Sequence, residues 1–153
     1  MTQQLLQNTF TIERSYDATP AQVFRAFSDA TKKRRWVAEG EGFTVESYDH
    51  DFRVGGAERC VFRGGDSPEM TFAGTYLDIA ENKYLIYAYS MTVGGAPLSS
   101  SIATVELAAS GKGTTMLFNE HTCYADGKDG SKDRRQGTVE LFEALAKELA
   151  AHG

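Results

Sequence analysis

The stretch Ser131-Lys132-Asp133-Arg134-Arg135-Gln136-Gly137-Thr138-Val139-Glu140-Leu141-Phe142-Glu143-Ala144-Leu145-Ala146-Lys147-Glu148-Leu149-Ala150 decides how the rest of the chain must be arranged. Val139, Phe142, Leu145 and Leu149 recur at helical spacing, and Leu141 and Ala146 widen the stripe. Gln136, Glu140, Glu143 and Lys147 fall on the other side, where Glu143 and Lys147 are spaced for an (i, i+4) pair. Ser131 is the expected N-cap, and Asp133 sets negative charge against the positive end of the helix dipole. Such a helix needs a core laid along one side. Gly137 is the exception inside it, because a mid-helix glycine costs about 1 kcal/mol against alanine. A close packing neighbour is the simpler reason for it, and room for a ligand is the alternative.

The core partner is written upstream in short alternating segments. Residues 8–16 alternate Phe10, Ile12, Arg14 and Tyr16 with polar neighbours, a period of two that predicts a strand. Thr19-Pro20-Ala21-Gln22 is a capping-box start with proline at the first helical position, which predicts a short helix over Pro20–Ser28. Asp29 caps a second helix reaching about Val37 and carrying Lys32-Lys33-Arg34-Arg35, expected to be a solvated basic face. Strands are then expected at 43–48, 58–63, 70–79, 84–91, 100–107 and 115–121. Gly55-Gly56, Gly64-Gly65-Asp66, Glu81-Asn82, Gly94-Gly95 and Ser110-Gly111-Lys112-Gly113 supply the turns between them. One strand, two short helices, six strands and a long helix make an α+β domain, its helices segregated from a largely antiparallel sheet.

Composition sets the outer limits. At 153 residues the chain fits one domain over 1–153, with 1–7 expected to be flexible; a domain of this size buries roughly 70% of its unfolded surface. Its net charge of −5 argues against a general nucleic-acid or anionic-membrane surface, both of which need clustered positive charge. The N-terminus has neither a basic leader nor an apolar run, so a cytoplasmic protein is expected. Cys60 and Cys123 are too few and too far apart for a zinc site or a disulfide framework, and are expected as reduced structural thiols.

Several motifs in order carry a resemblance. They are Arg14-Ser15-Tyr16-Asp17-Ala18, then Val23-Phe24-Arg25-Ala26-Phe27-Ser28-Asp29, Trp36, Gly55-Gly56 with Arg59 and Arg63, and Phe72-Ala73-Gly74-Thr75-Tyr76. Leu85-Ile86-Tyr87, Gly113-Thr114-Thr115 and the final helix from Gly137 to Leu149 complete the set. Together they resemble the helix-grip superfamily of START domains, birch-pollen allergens and polyketide cyclases, and within it the bacterial homologues of the activator of the heat-shock protein 90 ATPase. The resemblance implies a helix-grip fold: a curved antiparallel sheet of about seven strands, in the order β-α-α-β6-α, wrapped around the C-terminal helix with a cavity between them. It also implies a binding function, and the family name implies a chaperone partner. This chain departs from the family at Ala30, Lys33 and Val37, which suggests a more exposed and mobile second helix, and at Glu58 and Cys60, where relatives carry aromatics.

The candidate ligand-binding residues under that resemblance are Trp36, Phe43, Glu58, Phe62, Tyr76, Tyr87, Tyr89, Met116, Phe118, Glu120, Gly137, Leu141 and Phe142. They offer apolar area with a few hydroxyls to orient a small apolar or aromatic molecule. Glu58, if it faces the cavity, is a buried carboxylate that needs a partner such as Arg63, or a proton. Glu58 and Glu120 are the groups a cyclase or dehydratase would use, but Glu120 and His121 are adjacent on a strand and so face opposite ways. His50, His121 and His152 lack metal-ligand spacing, Asp49-His50-Asp51 reads as a turn, and no glycine-rich phosphate loop is present. Neither a cofactor nor a metal is therefore expected. Exposed strand edges and the second helix make a homodimer a further expectation.

Overall fold

The computed structural model describes residues 4–40 and 42–153. Residues 1–3, part of the end expected to be flexible, and Glu41 lie outside the described residues. The elements run β1 (Leu6–Tyr16), α1 (Pro20–Ser28), α2 (Ala30–Val37), β2 (Thr44–His50), β3 (Ala57–Arg63), β4 (Met70–Ala80), β5 (Tyr84–Val93), β6 (Ala96–Ser110), β7 (Gly113–Tyr124) and α3 (Ser131–His152). All neighbours in the seven-stranded sheet are antiparallel, in the order β1-β7-β6-β5-β4-β3-β2. This is the α+β helix-grip arrangement. Leu6 and Gln7, expected within a flexible end, are paired with Tyr124 and Cys123.

The local signals explain the boundaries. Thr19 Oγ1 accepts from the Gln22 amide at 3.2 Å while the Thr19 amide donates to Gln22 Oε1 at 2.8 Å, closing the capping box ahead of Pro20. Thr19→Ala is expected to cost about 1 kcal/mol in a urea titration; an unchanged midpoint would mean that tertiary packing alone holds α1. Asp29 accepts from the Lys32 amide at 3.0 Å and starts α2. Trp36 Nε1 donates to the Ala26 carbonyl at 2.8 Å, fastening α2 to α1. The turn between β5 and β6 is the pair Gly94-Gly95, both at positive φ (57° and 84°), so β6 starts four residues before the expected 100.

α3 begins differently from its expectation. Ser131 is its first helical residue and Gly130 holds the cap position; Asp129 accepts from the Ser131 amide instead, at 3.0 Å. A β-carbon at Gly130 would stand 2.9 Å from the Tyr124 ring, so the aromatic side chain leaves no room for a capping side chain there. Glu143 pairs with Arg14 of β1 at 2.9 Å rather than along the helix to Lys147. α3 packs on α1, α2 and β1. The apolar core lies in that half of the molecule, where Phe142 and Leu145 meet Ile12, Val23, Phe27 and Phe118.

α2 is not the exposed, mobile element anticipated. Lys33 is buried, Arg35 forms a two-point ion pair with Glu148 of α3 (2.7 and 2.9 Å), and Lys32 Nζ donates to the His152 carbonyl at 2.6 Å. Only part of the basic run therefore faces water, because α3 presents a carboxylate and its own C-terminus to the other side.

Candidate functional site

Alternation along β3 brings Glu58, Cys60 and Phe62 onto the concave face, and pairing carries that face through Phe72, Gly74 and Tyr76 of β4 to Tyr87 and Tyr89 of β5. It continues through Ser99, Ser101 and Ala103 of β6 to Glu120 and Thr122 of β7. His121 lies on the opposite face, bonded to Thr9 at 2.8 Å, as alternation requires.

Two buried ionic clusters occupy this surface. In the first, Glu58 (6% exposed) accepts from Lys33 Nζ at 2.7 Å, from Tyr76 Oη at 2.5 Å and from Tyr48 Oη at 2.9 Å. The Lys33 ammonium also sits 5.6–5.9 Å from the rings of Phe27, Trp36, Tyr76 and Tyr87. Burial pushes the Glu58 carboxyl upward, but the charge and hydrogen bond of Lys33, with help from Tyr76 and His50, outweigh it and hold the group below the usual carboxylate range. The partner is thus Lys33, not Arg63, which pairs with Glu46 and Glu69 on the surface. Since the Tyr76 phenol gives its one proton to Glu58, it accepts from His50 Nε2 at 2.9 Å, which places the imidazole proton on Nε2. Burial holds the His50 pKa below its ordinary value. His50 therefore ends β2 with its ring inside the protein, where the sequence suggested a turn.

The second cluster centres on Glu120, which accepts from Tyr89 Oη at 2.6 Å and Thr122 Oγ1 at 2.8 Å, with Arg134 Nη1 at 3.5 Å. Arg134 reaches down from α3, donating also to Ser99 at 2.7 Å and to Tyr89 at 3.1 Å. Burial and Glu58 push the Cys60 thiol up to about 11, so it is no thiolate at neutral pH.

Between the clusters, Phe72 and Tyr89 stack with centroids 4.7 Å apart, and the Phe72 ring covers Gly74. The recess there, about 150 Å³ including the open solvent at its mouth, is lined by Glu58, Phe72, Gly74, Thr75, Tyr76 and Tyr87 and is too narrow for a water molecule. Above it runs α3, which reaches this face through Arg134. At about 100° per residue, Leu141 lies around the helix axis between Leu145 and Glu148. Those two are 0% and 6% exposed, yet Leu141 is 38% exposed. The inner flank of α3 is therefore uncovered at Leu141 and covered one turn later. A β-carbon on neighbouring Gly137 would meet nothing within 4 Å, which rules out the packing explanation for that glycine.

The thirteen candidate positions divide by location. Glu58, Phe62, Tyr76, Tyr87, Tyr89 and Glu120 lie on the concave face, with Gly137 and Leu141 on the α3 flank. Trp36, Met116, Phe118 and Phe142 belong to the packed core, and Phe43 is 57% exposed ahead of β2, edge-on to Phe62. Lys33, Tyr48, His50, Phe72 and Arg134 were missing from the sequence-derived set. Arg134 and Thr138 continue the Phe142 and Leu145 stripe at helical spacing, so Arg134 could have been found; Lys33 precedes Trp36 and Val37 at the same spacing and is a position where the chain departs from its family, so it too carried a signal, though nothing local names Glu58 as its partner.

A family model described as Activator of Hsp90 ATPase homolog 1-like protein matches residues 17–152. The chain belongs to that family. Among solved structures, protein Mll3558 from Rhizobium loti is 41% identical with a TM-score of 0.88, the match covering 94% of this chain and 98% of that one. A protein from Rhizobium leguminosarum is 35% identical with a TM-score of 0.93, covering 97% of both chains. Protein CV1439 from Chromobacterium violaceum is 26% identical with a TM-score of 0.77, covering 93% and 96%. No curated protein matches the chain. The family is known for binding ligands in a cavity. Among the described residues no group of three metal-ligating side chains converges, and no helix is long and apolar enough to cross a membrane.

Proposed function

We propose that this chain binds a small apolar or aromatic molecule in the cleft between the N-terminal half of α3 and the concave face of β3–β5, without covalent chemistry. The observation that carries the reading is the exposure of Leu141 on a helix flank that is buried one turn later. An apolar side chain left uncovered on an inward flank, opposite half-buried aromatic rings, offers apolar area that a ligand would remove from water. A catalytic role for Glu58 is disfavoured because its oxygens are taken by Lys33, Tyr76 and Tyr48, and its pKa is lowered where an acid–base group would need it raised.

Gly137→Leu tests the reading. The new side chain enters open space and favours the helix, so the fold should be retained or strengthened while the cleft is narrowed. Titration with the uncharged fluorophore N-phenyl-1-naphthylamine should give saturable binding to the wild type and roughly tenfold weaker binding to the variant, equivalent to the lost burial of about two methylene groups. Equal affinity for both proteins, or no saturable binding to either, would rule the cleft out.

A further inference from the structure

The two edges of the sheet are built differently. β2 is short and guarded: its seven residues break register between Val45 and Ser47, and exposed Glu46 and Asp49 put charge on the rim. β1 has none of these protections. It runs eleven residues, pairs with β7 without a register break, and contains neither lysine nor proline. Among the described residues, β7 is the only hydrogen-bonding partner of its backbone. Its one cation, Arg14, is turned to Glu143 of the same chain at 2.9 Å. The outer N–H and C=O groups of a long, regular edge are a template for a further strand.

The residues of β1 suit a second copy of β1. When two identical strands pair antiparallel about a two-fold axis, one residue stands opposite its own copy and the others oppose each other in reverse order. All of Leu6–Tyr16 overlaps only when that residue is Thr11, the middle of the strand. Ile12 then opposes Phe10, Tyr16 opposes Leu6 and Arg14 opposes Asn8 on the concave face. On the convex face Thr9 opposes Glu13 and Gln7 opposes Ser15. No like charges meet, as they would with the axis at Glu13 or Arg14. Phe10, Ile12 and Tyr16 are buried within their own chain, so the backbone and the convex side chains supply the new contact.

We propose that the chain forms a two-fold dimer by antiparallel pairing of β1 with β1 of a second copy, centred on Thr11, which joins the two sheets into one. The joined sheet ends on the guarded β2 at both sides, so association stops at two copies.

The test is a charge exchange at the axis. Sedimentation velocity on the full chain, from about 1 to 200 µM at low salt, should show a monomer–dimer equilibrium. Thr11 is exposed and its hydroxyl bonds only Asn119, so it tolerates a longer side chain. Thr11→Lys and Thr11→Glu each set like charges face to face, and each alone should associate at least about fivefold more weakly than wild type. Mixed in equal amounts, the two variants set lysine against glutamate and should recover the dimer, which also shows that both are folded. A wild type that stays monomeric throughout would leave β1 as an edge for a strand of some other protein and overturn the proposal. Dimers that both variants retain, or variants that fail to associate on mixing, would overturn it equally.

Discussion

Lys33→Met is expected to destabilise the protein by about 3–5 kcal/mol at pH 7.5, because it strands the Glu58 carboxylate in the interior. Glu58 is 6% exposed and its closest cation is Lys33 Nζ at 2.7 Å. Replacing both partners, as Lys33→Met with Glu58→Leu, should recover most of the loss, since neither charge then needs hydration. The pH dependence provides a second check. In the wild type the Glu58 pKa is held below its unfolded value, so its contribution is fully present above about pH 4.3 and fades as the pH falls through the folded value. Without Lys33 the burial effect is the largest that remains, and the folded pKa moves above the unfolded one. Its contribution is then present below about pH 4.3 and lost as the pH rises through the raised value. The deficit of the variant should accordingly be smaller at pH 5 than at pH 7.5 in urea titrations. A deficit below about 1 kcal/mol that does not change with pH would show that the pair is not what holds α2 to the sheet.

Phe142→Ala should cost about 3–5 kcal/mol, and for the opposite reason, the loss of apolar packing. Its ring is buried, meets Phe118 edge-on at 5.1 Å between centroids, and belongs to the cluster joining α3 to β1, β7 and α1. The Phe142 carbonyl also accepts from Tyr16 Oη at 3.2 Å, so a shift of the helix would strain a second contact. Urea unfolding reports the magnitude. A loss under about 1.5 kcal/mol would mean that the surrounding core collapses into the space, which its aromatic neighbours make difficult. The two substitutions thus separate the two ways α2 and α3 are held: by an ion pair on the side of β2–β4, and by apolar packing on the side of β1 and β7.

Most of the fold was legible because its signals are local. The proline-led capping box set α1 to its final residues, and the period-two segments appear as strands whose ends moved by at most four residues. Where the ends moved, hydrogen bonding across the sheet extended them, as at Leu6 with Tyr124 and at Ala96 with Val93. The cleft was legible only in part. Alternation correctly set Glu58 and Cys60 on one face and opposed Glu120 to His121, but Leu141 and Leu145, one turn apart on the same flank, have different fates that no periodicity distinguishes.

What the sequence determined by itself was the α+β class, the order of elements, and which side of each strand and helix seeks an interior, since each follows from capping, turn chemistry and side-chain period over a few residues. Tertiary structure alone decided that Lys33, one of four consecutive basic residues, becomes the counter-ion of Glu58, 25 positions away. It also decided that α3 presses Phe142 and Leu145 into the core while Leu141 and Gly137 overhang open space. Both outcomes depend on where a separate element happens to stand, because burial and ion pairing are properties of the neighbours a residue acquires and not of the residue's own segment.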